Sequence, residues 1–522
     1  MAYGVRRIDN LPCACIGLVR KQPMSNSRIR SVVIVGGGTA GWMAAAILAK
    51  AMGQQLSIRL IESEEIGIVG VGEATIPQIR LVNTFLGVDE NAVLRASQGT
   101  FKLGIEFNDW RRVGDSYLHA FGETGMPLGP LPFHQYWLRS QQAGGNSRLW
   151  DYSLNTAAAE GRRFGRMDKV GDTPVGGIRY AYHFDAGLYG QFLRRYAEQR
   201  GVRRSEGKVL DVQLRAADGF IESVQMASGE RIEGDLFLDC SGFRALLIEG
   251  ALKAGFDDWS GWLPCNRAVT VPSVRAEPMR PFTQSNARPA GWQWRIPLQH
   301  RTGNGHVYCS EFMSEDEASA LLLANLEGEA LGEPRALRFT SGIRNKVWHR
   351  NCVALGLASG FVEPLESTAI HLVQSCINRL LTLFPDRHCS VALSDEFNRQ
   401  TRYEYESVRD FLVLHYKATE RDDTPFWRHC ARLQLPERAA RKVALFRASG
   451  QIVRENEELF TEGSWLQVML GQGIVPARYH PSADAISAEQ LDGFLHGIRG
   501  TVAQAAATLP GHGEYVAGQC RA

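Results

Sequence analysis

No uninterrupted apolar stretch of the 522-residue chain approaches the roughly 20 residues that a bilayer-spanning helix needs, so a membrane-spanning helix is excluded and a soluble protein is expected. The chain also lacks an excess of either charge. Its 58 Lys and Arg face 56 Asp and Glu, and the formal net charge of +2 gives no electrostatic case for nucleic acid or an anionic membrane. Ten cysteines, at 13, 15, 240, 265, 309, 352, 376, 389, 430 and 520, form no C-x-x-C pair. A zinc site is therefore not assigned, no metal is expected, and reduced thiols in a cytoplasmic protein are the simplest reading. Internal repeats and low-complexity tracts are missing too. Residues 1–23 imitate a signal peptide with Arg6, Arg7 and the run Leu11 to Val19, but Asp9, Pro12, Arg20 and Lys21 interrupt it. They are expected to be a disordered extension or an over-long start ahead of Met24.

What is present begins with a βαβ pattern. The β-branched run Val32 to Val35 leads into Gly36-Gly37-Gly38-Thr39-Ala40-Gly41, then an alanine-rich helix closing near Gly53, then a second strand, Leu56 to Ile61, ending at Glu62. Glycines at 36, 38 and 41 complete G-x-G-x-x-G, and Glu62 stands 21 residues past the last of them. In such a motif the first glycine makes the turn, the second admits a pyrophosphate, the third packs helix on strand, and the acid accepts from a ribose hydroxyl. Gly36 to Gly41, with Glu62, are thus candidate dinucleotide ligands. A second fingerprint is lacking, because Gly471 and Gly473 have no third glycine and no strand ahead of them. Asp239-Cys240-Ser241-Gly242-Phe243 and Ala354 to Gly360 resemble the later flavin-contact segments of aromatic hydroxylase-like flavoproteins, which makes FAD the expected cofactor and a separate flavin reductase the expected source of FADH2. The segment Ile178 to Val274 mixes helices and strands, with Gly234 to Asp239 a buried strand tipped by an acid. Beyond about Ser394 the pattern is helical, including the charged runs Arg399 to Arg409 and Glu437 to Arg447.

Three further segments carry candidate chemistry. In Gly291-Trp292-Gln293-Trp294-Arg295-Ile296-Pro297, indoles at i and i+2 project from one face of an extended strand. In Phe101 to Phe107 the alternation places Phe101, Leu103, Ile105 and Phe107 on one face and Lys102 with Glu106 on the other; a strand lysine is ordinarily a solvated one. Val362-Glu363-Pro364-Leu365-Glu366-Ser367-Thr368 precedes a helix whose apolar positions run from Ile370 to Phe384, with Ser367 or Thr368 as the N-cap. Free amides at Thr368 and Ala369 would attract an anion.

W-x-W-x-I-P is a hallmark of flavin-dependent halogenases, and after Met24 nearly the whole chain resembles the tryptophan halogenases. Val69 to Pro77, His183 to Ala186 and Asp423 to Trp427 agree in order with the same family. The resemblance implies an α/β, FAD-binding, Rossmann-like fold of the flavin monooxygenase type, with mixed sheets and a mostly helical C-terminal region. It implies an FAD-binding and interleaved substrate region over 24–393, completed by helices over 394–522. Trp292 and Trp294 would fill the space where a hydroxylase holds its organic substrate, leaving room for chloride or bromide, so that hypohalous acid forms at the flavin. That acid would pass to Lys102, with Glu366 orienting the oxidant and accepting the arene proton and Ser367 supporting the carboxylate. Thr368 and Ala369 would hold the halide, and Val209, Leu357 and Ile370 would join the glycines around FAD. His119 and Phe121 fall where relatives line the aromatic chamber, although a satisfied core histidine is an equal reading of His119. Ala369 departs from the glycine common in relatives.

Tryptophan-specific relatives carry an aromatic and acidic segment of the form Y-Y-x-x-F-E-E-E-F-x-x-F-W-x-N. Here Ile452 to Gln467 echoes it only through Glu457, Glu458, Phe460 and Trp465. The expected substrate is therefore a small electron-rich arene, an indole other than free tryptophan, with Trp465 as a stacking residue. A monomer or homodimer is expected. The rivals are an FAD-dependent aromatic hydroxylase, which the two tryptophans and Lys102 disfavour, and a noncatalytic flavin-binding protein.

Overall fold

The computed structural model describes residues 27–65 and 72–522; the expected extension over residues 1–23, and Val69 to Val71 of the Val69 to Pro77 match, lie outside the described residues. Strand β1 (Ser31–Val35) is buried along almost its whole length between parallel partners, which is why it reads as an unbroken β-branched run. It leads into helix α1 (Thr39–Met52), whose alanines let it sit between the sheet and the helix Ala186–Glu198, with Gly53 at positive φ ending it. Strand β2 (Ser57–Glu62) returns alongside β1. The sheet runs in the order Trp348–His349, Cys352–Ala354, Leu236–Asp239, β1, β2, Arg203–Glu206, parallel except at the first pair. This is the Rossmann-like layer, and ligands of such sheets sit at the carboxyl ends of the strands. Asp239, at one of those ends, accepts from the Ser241, Leu247 and Ile248 amides and so ties down the following turn.

A seven-stranded mixed sheet supplies the second layer, in the order Arg335–Arg338, Arg267–Ser273, Thr302–Tyr308, Gly291–Pro297, Thr283–Arg288, Gly104–Asn108, Ser116–Ala120. One face carries Trp292, Trp294 and Ile296, as the period of two requires. In register on the other lie Glu106, Gln284, Gln293 and Arg295, with Glu106 accepting from Gln284. A three-stranded sheet, Gly72–Ala74, Ala181–Asp185 and Thr100–Lys102, bridges the two layers.

The run from Phe101 to Phe107 is therefore not the single strand that its alternation predicts. It breaks at Leu103, whose N–H donates to Pro281 and whose carbonyl accepts from Phe121 and Asn155. Thr100–Lys102 pairs with Ala181–Asp185, while Gly104–Asn108 pairs with Thr283–Arg288 and Ser116–Ala120. Gly104 permits the change of sheet, since a Cβ there would lie 2.5 Å from the His119 carbonyl oxygen. Lys102 and Glu106 consequently share no surroundings: Lys102 is fully buried, and Glu106 is half-buried on the polar face of the large sheet.

From Val391 onward the described residues are helical, led by the 27-residue helix Val391–Lys417. Its buried stripe, Phe397, Thr401, Tyr405, Val408, Phe411, Leu412 and His415, follows helical spacing and packs into the same core as the sheets.

Candidate active site

Lys102 ends its short strand with a side chain that solvent does not reach. Its Nζ donates to the Thr75 carbonyl at 3.0 Å and to Ser367 Oγ at 2.8 Å, and lies 5.3 Å from the centre of the Phe121 ring. Burial drives the amine down from 10.5 to about 7, with the charge of Glu366 pulling against it. Much of it is thus a neutral amine near neutral pH, as a nucleophile requires.

Pro364–Glu366 form one turn of 3₁₀ helix, and Ser367 follows in the left-handed region with φ 59°. That turn sends two successive side chains to different partners. Ser367 accepts from Lys102, and Glu366 carries both oxygens to His119, whose Nδ1 lies 3.0 and 2.9 Å from them. His415 Nε2 lies 2.9 Å from Oε1, off its N–H axis, while its Nδ1 bonds the Phe411 carbonyl at 2.9 Å. Burial pushes the Glu366 carboxyl up, but the two histidines outweigh it and hold the group at about 2. Two expectations are corrected here. Ser367 does not support the carboxylate; its hydroxyl is taken by Lys102, because the left-handed turn swings it away from Glu366. Nor does either hydroxyl cap the helix Ala369–Thr382: Thr368 occupies the N-cap position, yet its buried hydroxyl bonds nothing and no side chain caps the first turn. His119 proves to be a buried partner of the Glu366 carboxylate.

The packing beyond His119 is aromatic. His119 lies 5.7 Å from Phe411, which stacks on Phe460 at 3.9 Å and meets Trp465 edge-on at 5.1 Å. Trp465 is buried, beside Lys442. Trp292 and Trp294 pack 6.1 Å apart; the Trp294 indole lies flat over Gly305, where a Cβ would clash at 2.1 Å.

The residues around the glycine fingerprint fit a dinucleotide. A Cβ on Gly36 would meet the Cys240 carbonyl at 2.1 Å, one on Gly37 would meet Glu62 Oε2 at 1.6 Å, and one on Gly41 would meet the Gly36 carbonyl at 1.9 Å. Gly38 differs: a Cβ there meets nothing within 4 Å, and it starts α1 without a side-chain cap or an acid in the first turn. The amides of Thr39 and Ala40 thus border open space suited to a pyrophosphate. Glu62 is already engaged, with Oε1 at 2.5 Å from Arg204 Nε and Oε2 at 3.2 Å from Trp42 Nε1. Gly356, ahead of half-buried Leu357, abuts Ala40, and Ile370 stands in the first turn of its helix. Val209 begins the strand Val209–Leu214 of a separate small sheet.

The tryptophan halogenase family model matches residues 31–488. The chain belongs to the tryptophan halogenase family. It is similar to the tryptophan 6-halogenase of Streptomyces albogriseolus, with 36% identity over 88% of this chain and 92% of that one. It is similar also to the tryptophan 7-halogenase of Lentzea aerocolonigenes, at 34% over 94% and 99%. Among solved structures, a flavin-dependent halogenase from Xanthomonas campestris superposes with a TM-score of 0.92 at 50% identity, over 95% of this chain and 99% of that one. One from Brevundimonas sp. BAL3 does so with 0.91 at 46%, over 94% and 99%. This family member is accordingly a flavin-dependent halogenase, an enzyme with the Rossmann-like FAD-binding fold that uses flavin and halide. Among the described residues no helix is long and apolar enough to cross a membrane. One residue now at the site was not foreseen: His415. His415 was within reach of sequence reasoning, since with Phe411 and Val408 it lies on the apolar stripe of a long helix.

Proposed function

We propose that this halogenase places chloride or bromide on an indole other than free tryptophan, through Lys102 and Glu366. Bound FADH2 with O₂ supplies the oxidising power that turns halide into hypohalous acid. The chain's own residues do the rest. Thr368 and Ala369 amides, beside an unpartnered buried hydroxyl, hold the halide; the Trp292 and Trp294 indoles keep organic molecules away from it. The Lys102 amine, steadied by Ser367 and Thr75, takes up the oxidant in a dry site, either hydrogen-bonding the intact hypohalous acid or taking its halogen to form a haloamine as the oxygen–halogen bond breaks and water leaves. Glu366, fixed by His119, faces the positive charge that grows on the arene and accepts its proton. One observation carries the reading: a single turn directs Ser367 to a buried lysine and Glu366 to two histidines. Phe121, Phe411, Phe460 and Trp465 form the chamber, so the helices over 394–522 complete it.

The choice of substrate is supported by Glu458, whose carboxylate is locked to buried Lys442 at 3.1 Å and is not free for an amino acid's ammonium. Glu457 is exposed. A separate flavin reductase, a cytoplasmic location, and a monomer or homodimer complete the proposal. The test is purified protein with FAD, a generic reductase and NADH, given mixed indoles, phenols and free tryptophan in bromide and then chloride. Halogenated indole identified by isotope pattern is expected. Oxygenated product would favour the hydroxylase, and efficient single-position halogenation of free tryptophan would overturn the substrate choice.

A further inference from the structure

Glu363, three residues before Glu366, is fully buried and has no place in the chemistry above. Its Oε2 accepts from the Trp292 indole N–H at 2.9 Å and from the Tyr416 hydroxyl at 2.5 Å, while Oε1 is buried without a partner. The two donors come from different elements: Trp292 from the large sheet, Tyr416 from the helix Val391–Lys417. Trp110 lies 6.4 Å from Trp292 and 5.3 Å from Tyr416, closing the ring from a third side. An unpaired carboxylate costs several kcal/mol to bury, so a carboxyl at this point is a stability liability unless its grip matters. Trp294 shows the alternative, since it is placed by shape alone over Gly305 and its indole N–H bonds nothing.

We propose that Glu363 is a positioning residue for the tryptophan barrier, holding the Trp292 indole in the one orientation that excludes organic molecules while admitting halide. The proposal rests on the barrier role given to Trp292 above. A tryptophan held only by apolar contacts can turn about its χ angles; a hydrogen bond at the indole nitrogen removes that freedom and sets which ring edge faces the halide side. Tyr416 in turn fixes the carboxyl, and the Cys265 thiol, 3.5 Å from the Tyr416 oxygen, backs the tyrosine. The groups facing Glu363 are Trp292, Tyr416 and the thiols of Cys265, Cys309 and Cys430, the thiols all pushed upward by burial and therefore uncharged near neutral pH. Among the described residues, no arginine or lysine sets the charge of Glu363. Burial accordingly raises Glu363 to about 7, the two donors drawing it back only in part.

The experiment compares Glu363→Gln, Glu363→Leu, Tyr416→Phe and Trp292→Ala in two readouts. The first is hydrogen peroxide released against halogenated indole formed, per NADH consumed. The second uses flavin-free protein: the indole N–H signals of ¹⁵N-tryptophan-labelled enzyme, with Trp292 assigned by its loss in the alanine variant. Glutamine keeps an oxygen for both donors and is expected to hold the product-to-peroxide ratio within twofold of wild type. Leucine keeps the size and loses the bond; the ratio is expected to fall at least fivefold and the Trp292 signal to shift or broaden, with Tyr416→Phe in between. In wild type the Trp292 signal should titrate near pH 7, and in the glutamine variant it should not. If leucine leaves ratio and signal unchanged while Trp292→Ala lowers the ratio, the positioning role is wrong and the barrier stands. If Trp292→Ala also leaves the ratio unchanged, the barrier reading itself fails.

Discussion

Replacing Lys102 by methionine keeps the length of the side chain and removes the amine. Two effects of opposite sign should follow. The drop of the lysine from 10.5 to about 7 corresponds to roughly 5 kcal/mol of preference for the neutral form in the folded protein. For a lowered lysine that cost is absent above the unfolded value, grows as pH falls, and is complete below about 7. Methionine escapes it but forfeits the bonds to Thr75 and Ser367, about 1 kcal/mol each. The variant is therefore expected to be more stable than wild type by about 3 kcal/mol at pH 6, with the difference vanishing or reversing above pH 10, as read by urea unfolding at both pH values. Halogenation should fall at least a thousandfold while FAD binding and flavin oxidation persist. In wild type the amine-dependent step should drop about fivefold from pH 7 to 6 and about tenfold for each unit below that, as protonation removes the neutral amine. A stability difference constant from pH 6 to 10, or product formation within tenfold of wild type, would refute the buried-amine reasoning.

His119→Gln removes the principal force holding Glu366 near 2, so burial should lift the carboxyl. A lowered carboxyl contributes stability above its unfolded value that is lost as pH falls through the folded one, and the variant should lose that contribution. About a tenfold to hundredfold loss of kcat/KM is expected at pH 7, and the acid limb that Lys102 sets near pH 7 should steepen as protonation of Glu366 joins it. Gly38→Ala should leave the melting temperature unchanged and weaken FAD binding in a fluorescence titration, whereas Gly37→Ala, which would strike Glu62, should lower both. Gln467 closes the backbone N–H and C=O of Ala120, next to His119, through bonds of 3.0 and 3.1 Å. Gln467→Ala should cost about 2 to 4 kcal/mol in chemical denaturation and raise KM for the arene more than it lowers kcat.

The flavin-binding half was legible because its signals are local. A β-branched run, three spaced glycines, an alanine-rich helix and an acid after the second strand lie within about thirty residues, and each reports a backbone constraint met by near neighbours. The helix after Thr368, the shared face of Trp292 and Trp294, and the helical C-terminal region follow from periods of 3.6 and 2 in the same way. Tertiary structure alone decided what surrounds the lysine. Nothing near Lys102 in the chain shows that it is buried, since its strand breaks at Leu103 and the pairing that encloses it comes from residues 181–185. Ser367, expected beside Glu366, serves the lysine because a left-handed turn points it there, and Glu366 finds its partners 247 residues upstream and 49 downstream, at His119 and His415. Sequence determines which groups exist and which local backbone carries them. Their protonation depends on desolvation and on charges brought from remote strands and helices, and those are properties of the packed chain.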